Sequence, residues 1–351
     1  MGAAFPRIDL QPGYSISTVI KGGWQLAGGH GKIDEKTALN DMRSFVEAGI
    51  TTFDCADIYT GVEERIGKFL DEFSSDFKSG ELPPVQVHTK YVPDLDRLAS
   101  IKKNDTEAII DRSLRRLGLE RLDMVQFHWW DYSVNRYVEV AQQLSELQKA
   151  GKIRHIGVTN FDAPHLKDIL AAGVKVIANQ VQYWVLDHRP EEKLLALCRD
   201  HDISLLCYGT AAGGFLSERW LDAPEPQEPL DNRSLTKYKL IIDEFGGFDL
   251  FRVLLRTLHG IAGKYHVGMT DVAIKYILQK PGVGGAIVGA RNAGHLRKLQ
   301  KLTAFALDAS DLKKISEIVA LSKGPKGAVY ELERDREGKH GRIMKYNLNS
   351  P

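Results

Sequence analysis

Four polar side chains follow or end three successive apolar runs, and their types suit the reduction of a carbonyl group. A buried phenol needs a nearby ammonium to lower its pKa before it can exchange a proton near neutrality. A carboxylate can hold that ammonium charged, and an imidazole can hold the substrate oxygen in place. The sequence offers one candidate for each requirement: Asp54, Tyr59, Lys90 and His128.

Each of these residues also has an ordinary structural explanation. Tyr59 could be a rim aromatic and Lys90 a surface lysine, Asp54 could cap a helix, and His128 could be an interior histidine. As a set they are harder to explain by packing. Asp54 and Lys90 each end an apolar run, and two buried charges are costly unless they pair. Such a pair would place the ammonium beside Tyr59.

Composition excludes several classes of function. The chain has 351 residues, is 43% hydrophobic and 26% charged, and carries a formal net charge of +1. These values indicate a globular protein with a large core, and neither nucleic acid nor a membrane is predicted as a partner. Histidine spacing predicts no metal site. Three separated cysteines and the lack of a signal peptide or membrane span predict a cytoplasmic protein, and the oligomeric state stays open.

Short apolar runs alternate with amphipathic stretches about eight times along the chain. This pattern predicts βαβ units with a parallel sheet, and eight of them favour a closed (β/α)8 barrel over residues 1–321. An open, doubly wound sheet is the alternative, but it would normally carry a Gly-x-Gly-x-x-Gly motif, which the sequence lacks. The predicted strands are Thr18–Gly22, Thr51–Cys55, Val85–Lys90, Met124–His128, Ile153–Val158, Ala178–Val181, Ser204–Tyr208 and Gly285–Gly289.

Two segments lie outside this repeat. Ala211–Leu250 is long and Pro-rich, and because it follows the seventh predicted strand, we expect it to lie over the active face as a lid or clamp. Residues 322–351 form a highly charged tail, for which docking on the barrel and solvated disorder are both open.

Several motifs make the chain resemble the aldo-keto reductase superfamily. Asp54-Cys-Ala-Asp-Ile-Tyr59-Thr-Gly-Val-Glu-Glu64 looks like the first family signature. Lys90 and Gln126-Phe-His128 match the next catalytic positions. Gly157-Val-Thr-Asn160-Phe is similar to the family's Gly-Val-Ser-Asn-Phe, with Thr159 in place of Ser. The resemblance runs from about residue 18 to about residue 302.

This resemblance implies a barrel enzyme that uses NADPH or NADH without a separate nucleotide-binding domain. Asn160 and Gln180 would hold the carboxamide of the nicotinamide, while the ring of Tyr208 stacks on it. Hydride would pass to the carbonyl carbon and Tyr59 would protonate its oxygen. Lys90, held by Asp54, would lower the pKa of Tyr59, and His128 would orient the carbonyl oxygen. The predicted cofactor contacts are Thr159, Asn160, Gln180, Tyr208, Gly209, Ala211, Gly289, Arg291 and His295.

The choice between NADPH and NADH depends on the segment 287–298, which looks like the family's phosphate-binding turn. His295 stands where NADPH-preferring members often carry Arg or Gln, and Arg291 can supply the missing charge. Arg297 and Lys298 can equally be a solvated helix face. The sequence favours NADPH and leaves NADH open.

Three tryptophans at predicted strand ends are candidates for the walls of a substrate pocket. They are Trp24, Trp129 and Trp130, and flat apolar walls would suit an aromatic aldehyde, a terpenoid or a sugar ring. The alternative is that one or two of them plug the barrel end as core residues.

The leading prediction is an NAD(P)H-dependent oxidoreductase that acts on a small carbonyl or alcohol. A cofactor-binding regulatory subunit on the same barrel, as in the potassium-channel β-subunits, is the alternative. A barrel hydrolase would need a metal cluster or a carboxylate pair at other strand ends, and the sequence shows neither.

Overall fold

Eight parallel strands close into a barrel in the computed structural model, which describes residues 5–27, 33–289 and 292–349. Consecutive strands are neighbours, and β10 closes the barrel by pairing with both β9 and β3. This confirms the predicted (β/α)8 fold. In chain order the strands are β1 (Arg7–Gln11), β2 (Tyr14–Ser17), β3 (Val19–Gly22), β4 (Thr52–Asp54), β5 (Gln86–Tyr91), β6 (Leu122–Phe127), β7 (Ile153–Thr159), β8 (Val176–Gln182), β9 (Ser204–Tyr208) and β10 (Val283–Gly289).

The first two strands form an antiparallel hairpin that the sequence analysis did not predict. Its apolar side chains Leu10 and Ile16 pack against Met124 and Leu206, which point into the barrel. The Tyr14 hydroxyl also lies 2.9 Å from Nε2 of His88 on β5. The hairpin therefore plugs the end of the barrel at which its strands begin.

The longer helices, such as α1, α4, α5 and α9, each bury one apolar face. In α4, for example, Ile110 and Leu117 are buried, and the helix ends where Gly118 adopts a left-handed φ of 64°. None of the described helices is both long enough and apolar enough to span a bilayer. The helices are α1 (Glu35–Glu47), α2 (Val62–Glu72), α3 (Ser74–Ser79), α4 (Lys103–Leu117), α5 (Tyr137–Lys149), α6 (Ala163–Ala171), α7 (Leu194–Asp200), α8 (Arg233–Phe245), α9 (Phe248–Tyr265), α10 (Met269–Leu278), α11 (Leu296–Gln300), α12 (Ala309–Val319), α13 (Glu331–Arg334) and α14 (Lys339–Arg342).

The segment that follows β9 contains a helix, α8, rather than loop alone. Asn232 begins this helix by accepting a hydrogen bond from the backbone of Leu235. Tyr238 lies directly on the turn that leaves β9, because a Cβ atom added at Gly209 or Gly213 would come within 3.0 Å of its ring. The helix thus covers the mouth of the barrel on the β9 side.

The C-terminal tail docks on the same mouth. Its residue Glu333 is fully buried and accepts hydrogen bonds of 3.1 and 3.2 Å from the guanidinium of Arg189, which also pairs with Asp187. Farther along, Asn349 donates to the Asp57 carboxylate at 3.0 Å and to the Val92 carbonyl at 2.7 Å. Residues of the tail therefore contact the barrel through buried polar groups at two separate places.

Replacing Glu333 by Gln should destabilise the protein by about 2–3 kcal/mol, because the substitution removes the negative charge and one of the two oxygens that accept from a buried guanidinium. Urea unfolding measures the free energy of unfolding. Glu337→Gln is the matched control in the same tail. The Glu337 side chain is 91% exposed, and its contact with Arg342 is long, at 3.8 Å, so its loss should change the free energy of unfolding little. Equal stability of the two variants would contradict the view that Glu333 anchors the tail.

Candidate active site

A buried ion pair lies at the centre of the site. Lys90 is the last residue but one of β5 and Asp54 ends β4, so the neighbouring strands place both side chains inside the mouth of the barrel. The Lys90 ammonium donates to the two Asp54 oxygens at 2.9 and 2.7 Å and to the Cys55 carbonyl at 2.9 Å. Burial alone would lower the pKa of Lys90, but the Asp54 carboxylate outweighs this and the net pKa is raised. The lysine therefore stays charged.

Two glutamine side chains complete the hydrogen bonding of this pair. Gln126 on β6 donates to Oδ1 of Asp54 at 3.0 Å. Gln180 on β8 donates to the same oxygen at 2.6 Å and to Oε1 of Gln126 at 2.8 Å. Its amide nitrogen is thus engaged with Asp54 in this structure, whereas the sequence led us to expect a contact with the cofactor. Gln126, which was not among the predicted site residues, is a full member of the network.

Tyr59 lies in the turn after β4, beside the ammonium of Lys90. The distance from Nζ of Lys90 to the centre of the Tyr59 ring is 4.8 Å. Burial raises the pKa of the phenol, the charge of Lys90 lowers it and that of Asp54 raises it again, and the net pKa lies above its usual value. Lys90 thus acts in the expected direction without reversing the effect of burial. The phenol is protonated at neutral pH and can serve as a proton donor.

His128 follows β6, and one of its ring nitrogens is already engaged. Its Nδ1 lies 3.1 Å from the backbone carbonyl of Thr159. A carbonyl oxygen only accepts hydrogen bonds, so Nδ1 carries the proton. Burial lowers the pKa of His128 to about 3, and the positive charge of Arg334 adds to this effect. The ring is therefore neutral, and its Nε2 has a lone pair.

This tautomer alters the expected role of His128. Nε2 is buried and has no hydrogen-bond partner among the described residues. As a lone-pair nitrogen it can accept a hydrogen bond from a hydroxyl group, but it cannot donate one to a carbonyl oxygen. The expectation that His128 orients a carbonyl by donating to it does not agree with this geometry.

Four of the predicted cofactor contacts lie together at the ends of β7, β8 and β9. The hydroxyl of Tyr208 donates to Oδ1 of Asn160 at 2.8 Å, and the hydroxyl of Thr159 donates to the Gln180 carbonyl at 3.1 Å. Asn160 has a left-handed φ of 61°, a conformation that asparagine tolerates better than most residues. The strand ends therefore present these side chains to the barrel mouth.

The turn after β9 carries two more predicted contacts, Gly209 and Ala211. Gly209 has a φ of 86°, which only glycine adopts without strain. Between them, the Thr210 hydroxyl is buried without a hydrogen-bond partner in the described parts of the chain. A buried hydroxyl of this kind fits a turn that accommodates a polar ligand.

The first predicted contact of the phosphate-binding segment 287–298 is Gly289, the last residue of β10. His295 is exposed in the short turn before α11. Arg291, the third predicted contact of this turn, lies outside the described residues. Gly289, where the described part of this segment leaves β10, pairs with Gly22 of the neighbouring strand β3.

The three tryptophans occupy different environments. The Trp24 ring lies 5.1 Å from that of Tyr59, and the Trp130 ring stands perpendicular to that of His128 at 4.4 Å. Trp129 is fully buried and its indole nitrogen donates to the backbone carbonyls of Asp131 and Val134. Its expected place in the substrate pocket does not agree with this, because its ring belongs to the core.

Three residues near the site were missed by the sequence analysis. The Tyr330 ring stands perpendicular to that of His128, with centres 5.4 Å apart. Lys237 on α8 and Arg334 on α13 lie next to the Tyr330 ring, at 5.6 and 5.3 Å from its centre. The signals were two short apolar steps in the charged tail, Val329–Tyr330 and Ile343–Met344, and the expectation that residues 211–250, which contain Lys237, lie over the active face. Nothing local in the sequence indicated that the tail returns to the strand ends.

Comparisons with known proteins support the resemblance noted in the sequence. The model of the Aldo/keto reductase family matches residues 18–320. The aldo-keto reductase YhdN of Bacillus subtilis is 29% identical over 315 residues, which are 88% of this chain and 91% of that protein. The NADH-specific methylglyoxal reductase of Escherichia coli is 29% identical over 58% of this chain and 66% of its own length.

Solved structures share the fold. A glycerol dehydrogenase from Gluconobacter oxydans superimposes with a TM-score of 0.72 at 23% identity, covering 93% of this chain and 97% of its own. An aldo/keto reductase from Klebsiella pneumoniae, solved with NADP and acetate, has a TM-score of 0.65 at 20% identity and covers 90% of this chain and 94% of its own.

Nuclear magnetic resonance of protein labelled with ¹⁵N-histidine should show His128 neutral, with the proton on Nδ1, from about pH 8 to about pH 5. The pKa of His128 is lower in the folded than in the unfolded chain. At pH values between these two pKa values, the unfolded chain therefore binds more protons than the folded chain. The contribution of His128 to stability is thus complete above the unfolded pKa and is lost as the pH falls towards about 3. The signal that disappears in the variant His128→Asn belongs to His128. Titration near about pH 6.5, or a proton on Nε2, would contradict the structure.

Proposed function

Because the chain belongs to the aldo/keto reductase family, we propose that it transfers hydride between a nicotinamide cofactor and a small carbonyl compound or alcohol. The observation that carries this proposal is the buried Lys90–Asp54 pair with the ammonium 4.8 Å from the centre of the Tyr59 ring. Burying two charges is costly, and stability alone gives weak reason to retain them. A role in proton transfer by Tyr59 supplies such a reason.

The residues around the barrel mouth fit a nicotinamide cofactor. Asn160 offers an amide at the end of β7, and Tyr208 offers a flat ring at the end of β9. Thr210 offers a buried hydroxyl that lacks a partner in the described structure. Bound there, the cofactor would supply or accept the hydride. Asn160 and Tyr208 would hold its nicotinamide end, and Gly209, Thr210 and Ala211 would lie against its phosphates.

Proton transfer is the part of the reaction that falls to the protein. In the reductive direction, Tyr59 donates its phenolic proton to the oxygen that becomes the alcohol, and Lys90 stabilises the resulting phenolate. Asp54 keeps Lys90 charged and in place through both of its oxygens. Once the proton has been transferred, the hydroxyl of the alcohol product can rotate and donate a hydrogen bond to the Nε2 lone pair of His128.

We propose NADPH as the favoured cofactor, with NADH as the alternative. The support is the basic turn after β10, which contains Arg291 and the exposed His295. Relatives of this chain include both an NADH-specific enzyme and one solved with NADP. Parallel assays with the two reduced cofactors and one aromatic aldehyde decide between them.

Replacing Tyr59 by Phe should lower kcat by about 10²-fold to 10⁴-fold, because the substitution removes the proton donor and leaves the ring in place. The affinity for NADPH, measured by fluorescence titration, should change less than about twofold, since the proton takes no part in cofactor binding. Tyr276→Phe is the control: it removes a phenolic hydroxyl from α10, outside the proposed site, and should leave kcat unchanged. Loss of NADPH binding together with turnover, or full turnover by Tyr59→Phe, would contradict the proposed function.

A further inference from the structure

The turn that carries Tyr59 is tied to the rest of the protein through Asp57, two residues earlier in the chain. The Asp57 side chain is buried. Its Oδ2 accepts hydrogen bonds from the backbone nitrogen of Val92 at 3.1 Å and from the side-chain nitrogen of Asn349 at 3.0 Å. The backbone nitrogen of Tyr59 donates to the Ala56 carbonyl at 3.0 Å, within the same turn. The contacts of Asp57 therefore help to fix where the turn lies.

Asn349 links this turn to the end of β5, the strand that carries Lys90. The side-chain nitrogen that donates to Asp57 also donates to the Val92 carbonyl at 2.7 Å. Val92 comes directly after β5 and lies two residues beyond Lys90. A single amide group of the tail thus bridges the segment that carries Tyr59 and the segment that carries Lys90.

The orientation of the Asn349 side chain is fixed by its other contacts. Its backbone nitrogen donates to Oδ1 of Asp94 at 2.8 Å, as does that of Leu348. Its side-chain oxygen accepts a hydrogen bond from the guanidinium of Arg112 on α4. The amide cannot turn over without placing its nitrogen against this cation, so the nitrogen is kept facing the Asp57 carboxylate.

The Asp57 carboxylate has few hydrogen-bond donors, so the loss of one matters. Its Oδ1 is buried and has no hydrogen-bond partner among the described residues. Burial, and then the charge of Glu63, raises the pKa of Asp57 to about 7, and the hydrogen bonds from Val92 and Asn349 oppose this rise. Without Asn349, Oδ2 would keep only the Val92 donor. A buried carboxylate with so few donors is costly, and the turn can relieve that cost by shifting.

The turn and the tail each keep another anchor when Asn349 is lost. Arg116 on α4 donates to the Asp57 carbonyl at 3.1 Å. The tail keeps the buried contact between Glu333 and Arg189. Loss of the Asn349 amide should therefore displace the turn locally and leave the chain folded.

We propose that Asn349 is a positioning residue for proton transfer. It clamps the turn after β4 to the end of β5, and so holds the phenol of Tyr59 beside the ammonium of Lys90. This inference rests on the proposed function for the reaction itself, whereas the contacts of the clamp are independent of it. The end of the tail thus acts on the rate of the proton step and not on the binding of the cofactor.

Replacing Asn349 by Leu removes the amide at nearly the same side-chain size. It should lower kcat for an aromatic aldehyde by about tenfold to 10²-fold, because a small displacement of the proton donor is costly in rate. The KM for the aldehyde and the affinity for NADPH, measured by fluorescence titration, should each change less than about twofold. The solvent deuterium isotope effect on kcat should rise, because proton transfer from Tyr59 becomes slower.

A second asparagine of the same tail provides the matched control. Asn347 is exposed, and its side-chain oxygen accepts one hydrogen bond of 3.3 Å from the backbone of Asp96, outside the turn of Tyr59. Asn347→Leu should leave kcat, KM and the isotope effect at their native values. Asn349→Ser adds no apolar bulk and is a second variant with the same expected direction as Asn349→Leu. Melting curves show whether each variant is folded.

A measurement without turnover follows the position of Tyr59 directly. In nuclear magnetic resonance of protein labelled with ¹³C-tyrosine, the Cζ signal of Tyr59 is the one that disappears in Tyr59→Phe. This signal should move in Asn349→Leu and stay in place in Asn347→Leu, because only the first substitution releases the turn. A general loss of stability without displacement of the turn would leave the signal where it is.

Native kcat in Asn349→Leu, or a Tyr59 signal that does not move, would overturn this inference. Ordinary turnover by the native protein would then leave the proposed function intact. A fall in kcat with an equal loss of NADPH affinity would also overturn the inference, since it would assign Asn349 to the cofactor site.

The proposed function can fail separately. A Tyr59 signal that moves in Asn349→Leu, in a native protein that binds NADPH but reduces no aldehyde, would support the clamp and count against the reductase.

Discussion

The buried ion pair between Lys90 and Asp54 is the interaction on which the site depends. Each charge alone would be too costly inside the barrel, so the two must meet, and the adjacency of β4 and β5 lets them do so. Gln126 and Gln180 both donate to Oδ1 of Asp54, which fixes the carboxylate and hence the ammonium. These contacts hold the Lys90 ammonium 4.8 Å from the centre of the Tyr59 ring. The phenol therefore lies next to a positive charge whose position is fixed.

The barrel and its cover contribute different things to the site. The strands supply the Lys90–Asp54 pair, whose position is fixed by the hydrogen bonding between the neighbouring strands β4 and β5. Helix α8 and the tail cover the mouth of the barrel, and the buried Arg189–Glu333 contact holds the tail in place.

Sequence patterns predicted the parts of this structure that repeat or that carry costly charges. All eight barrel strands were located within three residues at each end, because their runs are apolar and bounded by turns. The β1–β2 hairpin was missed, since its strands are short and its apolar residues are few. The tail was left open between docking and disorder because its charges look solvated until Glu333 meets Arg189, 144 residues away. The tautomer of His128 depends on the Thr159 carbonyl of the next strand, a backbone atom that no residue type reveals.

The most direct test of this account is the turnover of a double variant, Asp54→Asn with Lys90→Met, assayed with an aromatic aldehyde and NADPH. Removing both charges together leaves no unpaired buried ion, so the folded state should persist, as a melting curve recorded on the same sample can show. We predict that this folded protein loses about 10²-fold or more of kcat, because Tyr59 no longer has an ammonium beside it. A folded double variant that keeps the native kcat would contradict the claim that the pair serves proton transfer.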